Sequence, residues 1–248
     1  MGENKNTEIK NLCDELHEFV IESESDEEPV EPIIRVLSID VGIRNFALSV
    51  SILHEDFTIK EVVFVELIDI TTFVHRNNPK KCKKYHSKCF ADWMEHVFEY
   101  HKEFFHLCDY ILIERQPPQG LVAIEQLIFS RFRNKAILIS PSSMHKFLNI
   151  GGLDYENRKV ETEKACLKII NSKCPSILDL YNIYDRKHDI ADSICMVIFW
   201  ASKKHKKYID LQTKKEIESI RIKRCGIDLS LDEWFDQFRF RPRKKLRT

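Results

Sequence analysis

Four carboxylates stand where a carboxylate is hard to keep. Asp40 closes the apolar run VLSID, and Glu114 closes a second one, YILIE. Asp189 and Asp192 are three apart in HDIADS, so on a helix they share one face. A lone charge at the tip of a buried strand is costly unless it finds a partner or a cation. Four acids brought to one place cannot all stay ionised unless a cation neutralises them. Oxygen ligands of this kind suit Mg2+ or Mn2+, which keep water and accept phosphate oxygens. Asp40 is therefore expected at its strand tip to hold metal.

Each acid alone has a plainer explanation. A strand-end Asp is ordinarily a turn former, and acids at a helix start cap it and complement its dipole. The ordered set is more specific than any member: an acid after a first strand, an acid after a fourth, and a pair on a late helix. Asp185, one turn upstream in YDRKHDIAD, is an alternative to Asp189 if that helix starts earlier.

The elements that must position these acids can be read from pattern. Three strands are predicted at IRVLSID, NFALSVSIL and TIKEVVFVEL, with spacers short enough for an antiparallel meander. FADWMEHVFEYHKEFFHL has helical spacing, with Trp93, Val97, Tyr100 and Phe104 as its apolar stripe. A short strand in CDYILIERQPPQG, a helix over LVAIEQLIFSRFRNK and a strand AILISP ended by Pro141 follow. Helices are predicted over ENRKVETEKACLKIINSK and DIADSICMVIFWASKKHKK. This order gives an α/β domain with a mixed sheet. Its expected bounds are 33–208, after an acidic, mostly disordered tail over 1–32 and before a charged extension over 209–248 that ends basic.

At 248 residues, 43% hydrophobic and 31% charged, the chain reads as soluble and globular. No apolar run reaches the roughly 18 residues that span a bilayer, and the N-terminus lacks a secretory signal. Eight cysteines without a C-x-x-C pair are expected as free thiols in a reducing, intracellular compartment. The net charge of zero hides an asymmetry. Residues 1–31 hold 11 acids and 2 bases, and the rest carries 37 bases against 28 acids. An acidic tail on a basic body points to a nucleic-acid partner.

The ordered acids in SIDVGIRNFALSV, ILIERQ and KHDIADS resemble the RNase H-like nuclease superfamily, and within it the RuvC-like Holliday junction resolvases. IDVGIRNFA and IERQ are most similar to resolvases of poxviruses and related large DNA viruses and of fungal mitochondria. The resemblance covers roughly residues 34–203. It implies an RNase H-like five-stranded mixed sheet with strands 1–3 antiparallel, flanked by helices. It also implies a homodimeric, metal-dependent endonuclease that resolves four-way DNA junctions. Asp40 corresponds to the first-strand acid, Glu114 to the fourth-strand acid, and Asp189 and Asp192 to the pair on the C-terminal helix. Two Mg2+ ions per site, replaceable by Mn2+, and cuts leaving 5′-phosphate and 3′-hydroxyl ends are expected. A ribonuclease H or a broader flap nuclease would use the same acids.

DNA contacts are expected from Arg44, Lys80, Lys81, Lys83, Lys84, Arg131, Arg133 and Lys135, and from the basic tail Arg239 to Arg247. Arg115 and Gln116, directly after Glu114, are further candidates, as is Lys187; His188 is expected to be an ordinary helix-start residue. CKKYHSKC brings Cys82, His86 and Cys89 close, with His75 upstream, but the spacing matches no standard zinc finger. A basic loop with incidental cysteines is the expected reading there.

Overall fold

β-branched and aliphatic residues fill strands β1 (Ile33–Asp40), β2 (Phe46–His54) and β3 (Ile59–Ile68). They pair as an antiparallel meander, with Ser38 opposite Ser49 and Asp40 opposite Ala47. The computed structural model describes residues 32–73 and 83–224. The acidic tail, Lys80, Lys81, Cys82, His75 and the basic C-terminal tail lie outside the described residues.

Two further strands, β4 (Tyr110–Glu114) and β5 (Ala136–Ile139), complete a five-stranded sheet of order β3-β2-β1-β4-β5. β4 runs parallel to both β1 and β5. The parallel pairing needs long crossovers. The first contains helices α1 (Ile70–Phe73), α2 (Phe90–Tyr100) and α3 (Lys102–Leu107). The second is α4 (Val122–Arg131). After β5 come α5 (Pro141–Phe147), α6 (Tyr155–Lys173), a 3-10 turn at Pro175–Ile177, α7 (Leu178–Ile183) and α8 (His188–Arg224).

Alternation along the strands divides the core in two. Leu37, Ile39, Leu48, Ile111 and Ile113 pack with α2 to α4 on one face. Val36, Ala47, Val65 and Leu112 pack with α6 to α8 on the other. By the same alternation Asp40 and Glu114 belong to the second face, where α8 buries Ile190, Ala191 and Ile194. Ser38, Ser49 and Ser51 share that face, and no partner is found among the described residues for their buried hydroxyls. On the first face a buried charge is answered directly: His101 Nε2 lies 3.0 Å from Glu66 Oε2, both side chains about 1% exposed.

The structure departs from the sequence expectation at several places. The helix expected over residues 90–107 is divided at His101. Its buried stripe includes the expected Val97 and Phe104, with Met94, Phe98, His101 and Phe105, while Trp93 and Tyr100 stay partly exposed. The stripe turns because the His101 ring reaches Glu66 and stacks between Phe73 and Phe104. Pro141 opens α5 rather than merely ending β5, since proline's missing N–H is no loss at a first helical position. The last helix does not stop near Tyr208 but continues to Arg224. The chain divides into two compact units, Met1–Lys204 and His205–Thr248, and the sheet and the site below belong to the first.

Candidate active site

Register brings the two strand-end acids together. Ile39 pairs with Ile113, so Asp40 and Glu114 occupy the next rung of neighbouring parallel strands. Their carboxyls lie within hydrogen-bonding reach of each other, and Glu114 also accepts the main-chain N–H of Val41. Gly42 makes the turn that follows possible: a Cβ there would overlap the main chain of Asn45. Asp189 and Asp192 come from the first turns of α8. Ile190, Ala191 and Ile194 bury that helix and leave its acidic face toward the strand ends.

The acids crowd one another. Burial, then the charge of Glu114, pushes Asp40 well above the usual carboxylate range, and Asp192 and Asp189 add to it. Glu114 is also raised by burial, against hydrogen bonds from Asp40, Gln116 and Val41 that favour its charged form. Asp192 is raised to about 7, first by burial and then by Glu114, Asp189 and Glu163. Asp189 is held by charge-assisted contacts: Arg186 Nε donates to its Oδ2 at 2.7 Å, and His188 Nε2 lies 3.3 Å from Oδ1. Burial lowers the His188 imidazole, with Asp189 opposing.

A cavity of about 220 Å³ opens over the four acids. Asp40, Glu114, Asp189 and Asp192 line it, and Asp185, exposed and ahead of α8, does not. An all-carboxylate donor set on one cavity, with three members protonating more readily than normal, fits a hard divalent cation such as Mg2+ or Mn2+. A softer transition metal would prefer nitrogen or sulfur ligands. Among the described residues no three His, Cys, Asp or Glu side chains are drawn into a closed coordination set.

The basic candidates divide by position. Arg44 is exposed in the β1–β2 turn and Arg115 is exposed just past Glu114, both at the acidic end of the sheet. Lys187 precedes α8, and its Nζ donates to Asn182 Oδ1 at 2.9 Å. Arg131 ends α4 and Arg133 and Lys135 follow it, at the opposite end of β4, roughly 13 Å away at about 3.3 Å per residue. There Arg131 pairs with Glu95 over the Phe98 ring, and Arg133 stands over Phe129. Lys135 Nζ donates to the carbonyls of His106 and Cys108. Lys84 pairs with Glu95 and Glu99. Lys83 is exposed. The His86 and His96 rings lie 4.8 Å apart, tilted by 49°. Gln116 turns inward, its Nε2 donating to Glu114 Oε2 at 2.5 Å.

Sequence reasoning missed the wall supplied by α5 and α6. His145, Tyr155, Arg158 and Lys159 line the cavity with the acids. Lys159 draws the Asp192 pKa down while the acids raise it, and its Nζ lies 3.9 Å from the Tyr155 ring centre. The sequence signal was a basic pair opening a helix behind Asp154, whose side chain accepts the Asn157 N–H at 3.0 Å. Nothing in that pattern says which sheet edge the helix faces.

The five-stranded mixed sheet flanked by helices has the RNase H-like class of fold. Residues 34–204 match the family described as Poxvirus A22 protein, and the chain belongs to that family. Among solved structures it is similar to the fowlpox virus resolvase in complex with substrate Holliday junction DNA. That match has 21% identity and a TM-score of 0.52, covering 68% of this chain and 98% of that one. A structure of the fowlpox virus Holliday junction resolvase matches with 20% identity and a TM-score of 0.49, covering 68% and 99%. Thermus thermophilus RuvC with a Holliday junction substrate matches with 13% identity and a TM-score of 0.41, covering 71% and 97%. No curated protein sequence matches the chain.

Proposed function

We propose that this protein is a metal-dependent endonuclease that resolves four-way DNA junctions by paired, symmetric nicks. The observation that carries the reading is the convergence of Asp40, Glu114, Asp189 and Asp192, from three separate elements, on one open cavity. Membership of the Poxvirus A22 family and the fold shared with the fowlpox virus resolvase support four-way junctions over other nucleic acids.

The four carboxylates would hold the metal, two Mg2+ ions with Mn2+ as a substitute. Metal held there would supply activation of the attacking water and charge stabilisation at the leaving 3′ oxygen. The chain's own side chains do the rest. Lys159, facing the acids across the cavity, offers a positive group to the scissile phosphate. Tyr155 and Arg158 form the wall against which the strand lies. Arg44 and Arg115, exposed at the same end of the sheet, hold flanking phosphates. Products are a 5′-phosphate and a 3′-hydroxyl.

A four-way junction has approximate two-fold symmetry, so a C2 homodimer would present two identical sites to opposite strands. Family membership supports work at the site of viral DNA replication in the infected cell. No helix among the described residues is long and apolar enough to cross a membrane.

The test is cleavage of a synthetic immobile four-way junction with Mg2+, mapping the cuts on all four strands. Ligatable nicks at symmetric positions in opposing strands are expected. Asp40→Asn should lose more than about a hundredfold in rate while still binding the junction. Cuts on an RNA:DNA hybrid or on flaps alone would overturn the junction reading and keep the fold.

A further inference from the structure

Beside the cavity lies a further carboxylate, buried, that does not line it. Glu125 is 4% exposed and sits in the first turn of α4, where the helix dipole favours an anion. Its Oε2 accepts the main-chain N–H of Gln116 at 2.6 Å, and its Oε1 accepts from Gln126 Nε2 at 2.8 Å. Gln116 in turn directs its side chain inward at both ends. Nε2 donates to Glu114 Oε2 at 2.5 Å, and Oε1 accepts the Leu121 N–H at 3.1 Å. The 116–121 loop closes on this side chain, with Gly120 N–H donating to the Pro117 carbonyl at 2.8 Å. A Cβ on Gly120 would stand 2.8 Å from Gln116 Oε1 and 2.9 Å from Pro117 Cδ, so glycine leaves the room the glutamine occupies.

We propose that Glu125 and Gln116 form a latch that positions Glu114 for metal binding, and that Gln116 acts through this latch rather than by touching DNA. Glu125 fixes the main chain two residues past Glu114, and the Gln116 amide fixes one Glu114 oxygen, leaving that carboxylate aimed at Asp40. Neither residue is catalytic; both are positioning residues. Partners that orient a ligating carboxylate commonly matter to metal affinity by about 10- to 100-fold. The inference rests on the reading of Glu114 as a metal ligand.

The experiment is Mn2+ titration of the DNA-free full-length protein, followed by electron paramagnetic resonance, beside junction binding in EDTA. Glu125→Leu is expected to weaken Mn2+ binding about 10- to 100-fold and to leave junction binding within about twofold. Glu125→Gln, which keeps an acceptor oxygen for the Gln116 N–H, should stay within about threefold of the natural protein. Gln116→Ala and Gly120→Ala should weaken Mn2+ binding in the same direction, and they decide the matter if Glu125→Leu does not fold. Natural Mn2+ affinity in Gln116→Ala and Glu125→Leu would overturn the latch. Parallel loss of Mn2+ and junction binding, without rescue by Glu125→Gln, would also overturn it. Glu114→Gln separates the two readings. If it alone weakens Mn2+ binding, the latch fails and the metal site stands; if it changes nothing, the metal reading of Glu114 fails first.

Discussion

A carboxylate held at about pH 7 changes what acid and base do to the whole fold. Asp192 keeps its proton in the folded, metal-free protein far above the ordinary value of 3.8, because it is buried beside Glu114 and Asp189. Below about pH 4 the group is protonated whether the chain is folded or not. Between that and about pH 7 only the folded protein holds the proton, and this stabilisation is lost as pH rises through the folded pKa. The melting temperature without metal should therefore fall from pH 5 to pH 8. Asp192→Asn should remove part of that fall, melting a few degrees above the natural protein at pH 8 and close to it at pH 5. Asp40 and Glu114, raised by the same crowding, keep the remaining slope. Differential scanning calorimetry in EDTA reads both quantities. A stability gained by deleting an acid is the signature of a site whose charges are arranged for a ligand rather than for the fold.

At the scale of elements, β1 and the turn after it carry the most consequence. Gly42 admits no Cβ because the Asn45 main chain lies against it. Gly42→Ala must move the turn, and Asp40 is two residues away. A cost of about 1–3 kcal/mol in chemical denaturation is expected, with a drop in cleavage larger than the lost stability explains. The same element explains what the sequence could disclose. The acids, the meander and the start of the helix behind Asp189 were legible because each is written in local pattern: period two and then an acid on the strands, and helical apolar spacing after Asp189. The wall formed by α5 and α6 was not. Lys159 and Arg158 sit on a helix whose apolar residues are few, and only the crossover geometry decides that they face Asp192. Glu125 reads in sequence as an ordinary helix acid within VAIEQLIF. Its burial depends on the loop at 116–121 folding back over it, which no periodicity records. Gln116 next to Glu114 suggested a contact with DNA, and its hydrogen bonds point the other way.

The charge of the whole molecule is distributed by place as well as by count. Arg44 and Arg115 stand exposed at the acidic end of the sheet, while Arg131 and Arg133 are at the far end and Arg131 is paired with Glu95. Junction affinity should fall about tenfold in Arg44→Ala with Arg115→Ala. The slope of log K against log salt should flatten by about 2, one for each phosphate no longer neutralised. Arg131→Ala with Arg133→Ala should change affinity by less than about twofold. Gel-shift titrations at several salt concentrations check both pairs.

The parallel pairing of Ile39 with Ile113 has a consequence for how the protein can change length over evolutionary time. A strand turns successive side chains to opposite faces, so one residue gained or lost inside β1 or β4 would send Asp40 or Glu114 to the wrong side of the sheet. The connection between them, residues 41 to 109, is under no such counting outside β2, β3 and the Gly42 turn. Insertions accepted outside its strands leave the two acids on the same rung. Drift in chain length is thus confined to the joints between elements, and the sheet keeps the tally for the site.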